Sequence, residues 1–301
     1  MNPSSSSPLR LGVTLLSADT TIRPDDLARA AEERGFESMW LPEHSHIPIS
    51  RESPWPGSLT GEPLPAPYAR LHDVFVGLSM AAAVTTRLRL GTSVVLLGQR
   101  DAIWTAKQVA TLDHLSGGRV ELGVGIGWNR EEMANHGMRF ADRWTRVRET
   151  VAAMRALWTN DVGTYEGEVV RVAPSWQWPK PAQPNGPPVH LGGGAGPRLL
   201  GEVAAWADGW LPISARASVR SRLDAMHAAC ERVGRDPASV TVSVFGATTS
   251  ASGLASLAEE GVHRAVLTSW AADREGVLRD LDSWVHLVTE FASNAGPTFQ
   301  R

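Results

Sequence analysis

The stretch that decides the fold runs from residue 89 to residue 137 and reads RLGTSVVLLGQRDAIWTAKQVATLDHLSGGRVELGVGIGWNREEMANHG. Its first segment, 89–97, is almost wholly apolar, which predicts a strand buried on both faces, as in a parallel sheet. A helix is predicted over 101–115, and a second strand over 120–124 runs into a glycine-rich segment. In such a strand–helix–strand unit the strands are parallel, and ligands bind beyond their carboxyl ends. This stretch therefore bears on both fold and function.

The rest of the chain repeats the same alternation, with eight predicted strands that are each followed by a helix. Repeated units of this number predict an α/β fold, a (β/α)8 TIM barrel formed by residues 9–301 as one domain after a disordered tail, 1–8. An open doubly wound sheet is the alternative, but the turn after the first strand lacks the glycines of a dinucleotide fingerprint. Two long insertions, 48–71 and 173–188, are expected to form walls over the carboxyl face of the barrel.

Composition excludes several classes of function. The formal net charge of the 301 residues is −3, which argues against a nucleic-acid partner bound through a basic surface. The single cysteine, Cys230, allows no internal disulfide and suggests a reducing, cytoplasmic setting. No run approaches the roughly 20 apolar residues that span a bilayer, so no membrane association is expected.

The first candidate catalytic group follows the second predicted strand, in the segment 42–46, PEHSH. His44 and His46, with Glu43 beside them, could ligate a metal, or an imidazole could donate a proton to a bound organic ring. A solvated turn that carries two histidines is the plain structural alternative. The other predicted strand ends supply no histidine or carboxylate, which disfavours a metal site.

The second candidate is a glycine-rich loop, Gly192-Gly193-Gly194-Ala195-Gly196, which follows a strand and leads into a helix that begins at Pro197. Backbone N–H groups of such a loop converge on anions, and the helix N-terminus adds favourable potential. Arg198 could close the site from the side. The pattern favours phosphate binding over a simple tight turn, and residues 125–130 offer a second wall for a phosphate-bearing tail.

Together these segments resemble the bacterial luciferase-like flavin and deazaflavin oxidoreductases over nearly the whole chain after the tail. The most specific matches are LDHLSGGR at 112–119, GVGIGWN at 123–129, EEM at 131–133, and the region from Gly192-Gly193 to Asp208-Gly209-Trp210. The chain looks closest to the actinobacterial branch that uses coenzyme F420, a deazaflavin with a lactyl-oligoglutamate phosphate tail.

The resemblance implies a barrel that binds the cofactor ring at its carboxyl face, backed by a non-proline cis peptide between Ser93 and Val94. His44 aligns with a histidine that, in some relatives, contacts or protonates near the ring, and Glu43 replaces the relatives' aspartate. Trp128 stands where sugar-phosphate dehydrogenases of the family carry an acid, which disfavours that activity. The expected cofactor contacts are Ser93, Val94, Gly127, Trp128, Asn129, Gly193, Gly194, Ala195, Gly196 and Arg198.

The expected activity is hydride transfer between F420 and a small organic molecule, with His44 and Glu43 as the catalytic candidates and no metal. An FMN-dependent monooxygenase fed by a separate reductase and a non-catalytic deazaflavin-binding protein are the alternatives. A homodimer is expected, because two-fold dimers are the commonest soluble assembly and are common among such relatives.

Overall fold

The computed structural model describes residues 9–58, 61–214 and 219–293, so the tail predicted over 1–8 lies outside the described residues. The strands are β1 Arg10–Thr14, β2 Ser38–Leu41, β3 Arg89–Thr92, β4 Val120–Val124, β5 Gly163–Glu166, β6 Arg171–Ser175, β7 Val189–Gly192, β8 Gly209–Leu211, β9 Thr241–Phe245 and β10 Arg264–Thr268. The helices are α1 Pro24–Glu33, α2 Val74–Val84, α3 Ala102–Ser116, α4 Arg130–Asn135, α5 Arg143–Thr159, α6 Pro197–Trp206, α7 Val219–Arg232, α8 Ala251–Glu259 and α9 Arg274–Ser293.

Eight parallel strands close into a barrel in the order β1, β2, β3, β4, β7, β8, β9, β10 and back to β1. The predicted (β/α)8 fold is confirmed. The remaining strands, β5 and β6, form an antiparallel hairpin outside the barrel. Within the described residues, no helix is both long and apolar enough to cross a membrane.

Side chains at the starts of the helices explain why the chain turns where it does. Asp73 accepts the N–H groups of Phe75 and Val76 at the start of α2, and Asp101 accepts that of Trp104 at the start of α3. These carboxylates satisfy N–H groups that have no partner inside the helix. Helices α2 and α3 therefore each start at a defined residue.

Strand β3 is shorter than the predicted 89–97, because it leaves the regular ladder after Thr92. The Ser93–Val94 peptide is cis, as the resemblance implied, and Val95 then returns to bridge Val124 of β4. The ladder resumes there, since Val95 N–H donates to Gly123 O at 2.8 Å and Val95 O accepts Gly125 N–H at 2.9 Å. The apolar run thus encodes a bulged strand end rather than nine residues of continuous strand.

The barrel interior has a charged layer at its amino end and an apolar layer above it. Arg264 joins Glu37 and Glu121 in the charged layer, where His190 also binds Glu121. The layer above consists of Trp40, Leu211 and Val266, with Val94 and Phe245 packed against them. Gly91 leaves room for the Trp40 ring, because a Cβ there would lie 2.1 Å from it. The apolar layer forms a floor beneath the carboxyl face.

The two insertions lie in different places. The described residues of the first insertion, 48–58 and 61–71, lie at the carboxyl face, where Arg51, Trp55 and Tyr68 surround the barrel mouth. The second insertion, 173–188, runs along the outer side, which corrects the expectation that both form walls at the carboxyl face. Gln177 Nε2 donates to Ile103 O at 3.2 Å, near the start of α3, and Gln183 binds Asp113 and Val120 O near the amino end of β4. After β6 the chain must return to the amino end of the barrel along this side, because β7 begins there.

Candidate active site

A buried histidine–glutamate pair lies at the carboxyl face of the barrel. His44 follows β2, Glu132 lies in the first turn of α4, and their Nδ1 and Oε2 atoms are 2.6 Å apart. The side chains are 5% and 0% exposed. The second ring nitrogen of His44, Nε2, makes no hydrogen bond with any described residue. The pair thus holds one ring nitrogen firmly and leaves the other free for a ligand.

The Glu132 carboxylate has further donors on its other oxygen. Glu132 Oε1 accepts Ser45 N–H at 2.9 Å, Gln99 Nε2–H at 2.8 Å and Ser45 Oγ–H at 3.1 Å. Burial raises the pKa of this carboxyl, but the hydrogen bond and charge of His44, with the Gln99 and Ser45 donors, outweigh it and hold the pKa below its usual value. Glu132 is therefore an ionised, buried acceptor.

Aromatic rings from the first insertion and from the loop after β4 surround His44. The Trp128 ring meets it edge-on with centroids 5.4 Å apart, and the Tyr68 ring lies at 5.6 Å. Trp55 packs against Tyr68 at 5.7 Å, and the Arg51 guanidinium lies 5.4 Å from the Trp128 centroid. Burial raises the pKa of Tyr68, partly offset by a hydrogen bond with Trp55, so its phenol keeps its proton at neutral pH. The site beside His44 is flat-walled and largely apolar.

Glu43, although adjacent to His44, has different partners. Its Oε2 accepts Leu96 N–H at 2.7 Å, inside the segment that follows the cis peptide. Its Oε1 accepts two N–H groups of Arg100, one of them from Nε at 2.8 Å. Both oxygens thus accept donors from residues 93–100, the segment after β3 that we call the strand-three loop. These contacts of Glu43 hold that loop in place.

His46 does not join His44. Its Nδ1 lies 2.9 Å from Ser45 Oγ and its Nε2 lies 2.9 Å from Asn135 Nδ2, at the surface end of α4. The pair of inward histidines that a metal site would have required is therefore not formed. Across the described parts of the chain, no group of three histidine, cysteine or carboxylate side chains is placed to hold a metal ion.

The cis-peptide bulge presents Val94 to the floor of the barrel mouth. A Cβ on Gly125 would lie 2.4 Å from Val94 Cγ2, and a Cβ on Gly192 would lie 2.6 Å from Val94 Cγ1. Only glycine at these two strand ends leaves room for the valine side chain. Ser93 Oγ lies 3.3 Å from Thr14 Oγ1 across the mouth.

The glycine-rich loop after β7 is open, as an anion site requires. Cβ atoms on Gly194 or Gly196 would meet nothing within 4 Å, and Gly193, at φ +146°, has a backbone conformation that favours glycine. Helix α6 then begins at Pro197 with no side chain bonded to its first N–H groups. These N–H groups, with the helix dipole, suit an anion.

Three arginines lie beside this loop on two aromatic rings. The guanidinium carbons of Arg130 and Arg143 lie 4.7 and 3.7 Å from the Phe140 centroid, and that of Arg198 lies 4.5 Å from Trp144. Burial, then the positive charges of Arg198 and Arg130, lower the pKa of Arg143. None of the three forms an ion pair with a residue that the structure describes.

Two buried nitrogens in this region have no hydrogen-bond partner. They are Arg143 Nε and the Nδ2 atom of Asn129, whose Oδ1 caps α4 by accepting Glu132 N–H at 3.2 Å. Gly127, at φ +84°, supports the loop between them by leaving room for Met133 Cε, which a Cβ would approach to 2.9 Å. Unpartnered buried donors are costly, so both indicate an acceptor that a ligand supplies.

The structure therefore brings together most, but not all, of the predicted residues. His44, Trp128 and Val94 lie at the mouth, and the glycine loop with Arg198 lies beside it. Glu132 and Arg143 were not among the predicted site residues, and Glu132 stood only within the matching segment 131–133. An available signal for Glu132 was its place beside Met133 on the inward side of a short helix, where a free carboxylate would be unusual.

The family comparisons agree with this architecture. A sequence model described as luciferase-like monooxygenase matches residues 9–284. The chain is 44% identical over 203 residues to an uncharacterized protein of Mycobacterium tuberculosis, Rv0953c, covering 67% of this chain and 72% of that one. It is 31% identical over 224 residues to a phthiodiolone/phenolphthiodiolone dimycocerosates ketoreductase of the same species, covering 70% of this chain and 57% of the ketoreductase.

Solved structures with the same fold include monooxygenase RslO1 from Streptomyces bottropensis, with a TM-score of 0.75, 17% identity and coverage of 94% of this chain and 100% of that one. They also include the coenzyme F420 dependent tetrahydromethanopterin reductase from Methanopyrus kandleri, with a TM-score of 0.72, 16% identity and coverage of 96% and 100%. At such identities these likenesses show the fold alone, whereas the sequence match is specific. The chain belongs to the luciferase-like monooxygenase family, a family of oxidoreductases and monooxygenases.

Proposed function

We propose that this protein transfers a hydride between coenzyme F420 and a small organic substrate, with His44 moving the accompanying proton. The observation that carries the proposal is the buried His44–Glu132 pair, whose free Nε2 lies among aromatic rings at the barrel mouth. A charged carboxylate on Nδ1 orients the ring and stabilises the protonated imidazole. His44 can therefore hold a proton at Nε2 and release it to a substrate oxygen.

The residues at the mouth fit a deazaflavin. Val94, wedged between Gly125 and Gly192 on the apolar floor, offers a flat surface for a ring system. The open loop from Gly193 through Ala195 to Gly196, with the bare start of α6, suits the phosphate. When bound, such a cofactor supplies the hydride chemistry, and the protein supplies binding, orientation and electrostatics.

The arginine cluster favours F420 over FMN. Arg130, Arg143 and Arg198 carry three positive charges with no acidic partner among the described residues, and one phosphate would leave much of that charge unpaired. A tail with a phosphate followed by several glutamates supplies one carboxylate after another. Guanidinium groups bind both anions through charge-assisted hydrogen bonds.

We assign the other predicted residues as follows. Trp128 and Tyr68 wall the substrate side and keep water from His44, while Asn129 and Arg143 donate to the cofactor. Glu43 positions the bulged strand-three loop through Leu96 and Arg100 and does not transfer protons. The homodimer expected from the sequence stays a prediction, which light scattering of the purified protein tests.

Titration of the protein with F420 and with FMN, followed by tryptophan fluorescence, tests the cofactor assignment. We expect the protein to bind F420 more tightly than FMN. Arg143→Gln should lower the affinity for F420 by about tenfold, or ~1.4 kcal/mol, and the affinity for FMN by less. Arg232→Gln, an exposed arginine on α7, is the matched control and should change neither affinity. Tight binding of FMN with none of F420 would overturn the assignment in favour of a flavin-dependent monooxygenase.

A further inference from the structure

Beyond Glu132, the hydrogen bonds of His44 continue to the protein surface through one hydroxyl. Ser45 Oγ lies 3.1 Å from Glu132 Oε1, 2.9 Å from His46 Nδ1 and 2.7 Å from His136 Nε2. The two imidazole rings lie 5.7 Å apart, and His136 is exposed. Three hydrogen bonds, His44–Glu132, Glu132–Ser45 and Ser45–His136, thus connect His44 to a titratable group in solvent.

The donors in this cluster can be assigned from the chemistry of each group. A carboxylate only accepts, so the one Ser45 hydroxyl proton goes to Glu132. His46 Nδ1 and His136 Nε2 must then both donate to the Ser45 oxygen. Asn135 Nδ2 donates to His46 Nε2 at 2.9 Å, which makes that atom an acceptor and His46 the neutral Nδ1–H form. Every hydrogen bond has one donor and one acceptor in this arrangement.

We propose that Ser45 is a positioning residue that couples the buried His44–Glu132 pair to the protonation of His136 at the surface. The proposal concerns the regulation of the site described above and rests on the proposed role of His44. A proton added at His136 Nδ1 leaves its Nε2–H bond to Ser45 intact, because the two ring nitrogens are independent donors. The added charge polarises the Ser45 hydroxyl toward Glu132 and opposes a second positive charge on His44. His44 therefore releases its proton more readily when His136 is protonated.

Other charged groups near this network have hydrogen-bond, ion-pair or ring contacts of their own and do not bind the Ser45 hydroxyl. On α4, Glu131 Oε1 accepts the N–H groups of Glu52 and Ser53 from the first insertion. In the strand-three loop, Arg100 is bound by Glu43. Arg51 lies over Trp128, Tyr68 packs on His44, and Arg130 lies over Phe140. None of them hydrogen-bonds Ser45 Oγ, whereas His136 does.

Nitrogen-15 NMR of the protein labelled at its histidine rings tests the coupling without cofactor or substrate. Single His→Gln variants assign the signals. We expect the chemical shifts of the His44 ring nitrogens to change with pH in two steps. One of these steps should coincide with the change in the His136 signals. His136→Gln keeps an N–H donor but cannot charge, and Ser45→Ala removes the shared hydroxyl, so both variants should lose the second step. His227→Gln, an exposed histidine on α7, is the matched control and should keep it.

A single-step His44 titration in the wild type, or a second step that survives both variants, would overturn the coupling. A ring signal that shows His46 protonated on Nε2 rather than Nδ1 at neutral pH would overturn the donor assignment. Loss of the second step without any F420 binding or turnover would support the coupling while removing the proposed function. If turnover is found, its pH profile should lose one inflection in His136→Gln and retain it in His227→Gln.

Discussion

Two buried histidine–glutamate pairs of equal length lie at opposite ends of the barrel. At the carboxyl end, His44 Nδ1 is 2.6 Å from Glu132 Oε2, and at the amino end His190 Nε2 is 2.6 Å from Glu121 Oε2. In both pairs the pKa of the carboxyl is lowered, although burial alone would raise it. Chemically the two pairs are the same, and their surroundings decide what each one can do.

The amino-end pair is closed by charge and by backbone. Arg264 and Arg89 both bind Glu121, and the free ring nitrogen of His190, Nδ1, is buried without a partner. A Cβ on Gly209 would lie 2.0 Å from that nitrogen, so no ligand can reach it. The described partners of Glu132, in contrast, are His44 and the neutral N–H and O–H donors of Ser45 and Gln99, and His44 keeps an accessible Nε2. Access to the second ring nitrogen thus separates a candidate catalytic pair from a structural one.

The largest expected effect comes from His44. Removing a general acid or base costs roughly 10²–10⁴-fold in rate, so His44→Gln should lower F420-dependent turnover by about that factor. The rate can be followed by the absorbance of F420 with a panel of alcohols and ketones. His190→Gln, the matched change in the other pair, should leave turnover within a few-fold. Equal losses in both variants, or none in His44→Gln, would contradict the difference between the pairs.

The next effect concerns stability at the amino end. Arg264 is 1% exposed and binds Glu37 at 2.7 Å and Glu121 at 3.4 Å. Arg264→Met removes the buried cation that Glu37 and Glu121 share and leaves them only the more exposed Arg10 and Arg89. This loss should lower the free energy of unfolding by about 3–5 kcal/mol. Urea denaturation measures this change. Arg143→Met at the carboxyl end abandons no carboxylate and serves as the control, and a similar loss in both variants would show that the amino-end charges are not special.

The sequence predicted the barrel well because strand and helix signals are local. Glycines and capping aspartates such as Asp73 and Asp101 mark where elements begin and end, and their action needs no distant partner. The bulge after Thr92 was given by the family resemblance, since its apolar residues alone read as continuous strand. The path of 173–188 was not predictable, because it depends on contacts with Ile103 and Asp113, which lie far away in sequence.

The candidate site was predicted only where one segment carries its chemistry. His44 and the glycine loop can each be found from a few consecutive residues. Glu132 lies 88 residues from its partner, and on its own helix it looks like an ordinary N-terminal acid. The same limit applies to Arg143, whose unpartnered nitrogen exists only once α5 packs beside the loop. The sequence shows which residue types are present, but it does not show which side chains pair across different elements of the barrel.

A smaller effect is expected at the floor of the mouth. Gly125→Ala places a Cβ 2.4 Å from Val94 Cγ2, and overpacking of this kind costs about 1–3 kcal/mol of unfolding free energy. Gly194→Ala is the matched control, because a Cβ there meets nothing within 4 Å and its stability change should be within about 0.5 kcal/mol. Thermal or urea unfolding compares the two variants. Equal stabilities would mean that Val94 is free to move away and that the bulge is not fixed by its glycine neighbours.

The smallest effect is a difference in acid sensitivity between the two pairs. A carboxyl whose pKa is lower in the folded protein contributes stability above its unfolded pKa, about 4.3 for glutamate, and that contribution is lost as the pH falls toward the folded value. The pKa values of Glu121 and Glu132 are both lowered, and the Glu121 carboxyl binds Arg264, whereas no arginine of the described residues binds Glu132. Urea unfolding at pH 7 and at pH 3.5 should therefore show less acid destabilisation in Glu121→Gln than in the wild type, with a smaller reduction in Glu132→Gln. If Glu132→Gln removes more of the acid dependence, His44 holds its carboxylate more strongly than the arginine layer does, and the ranking of the two pairs is reversed.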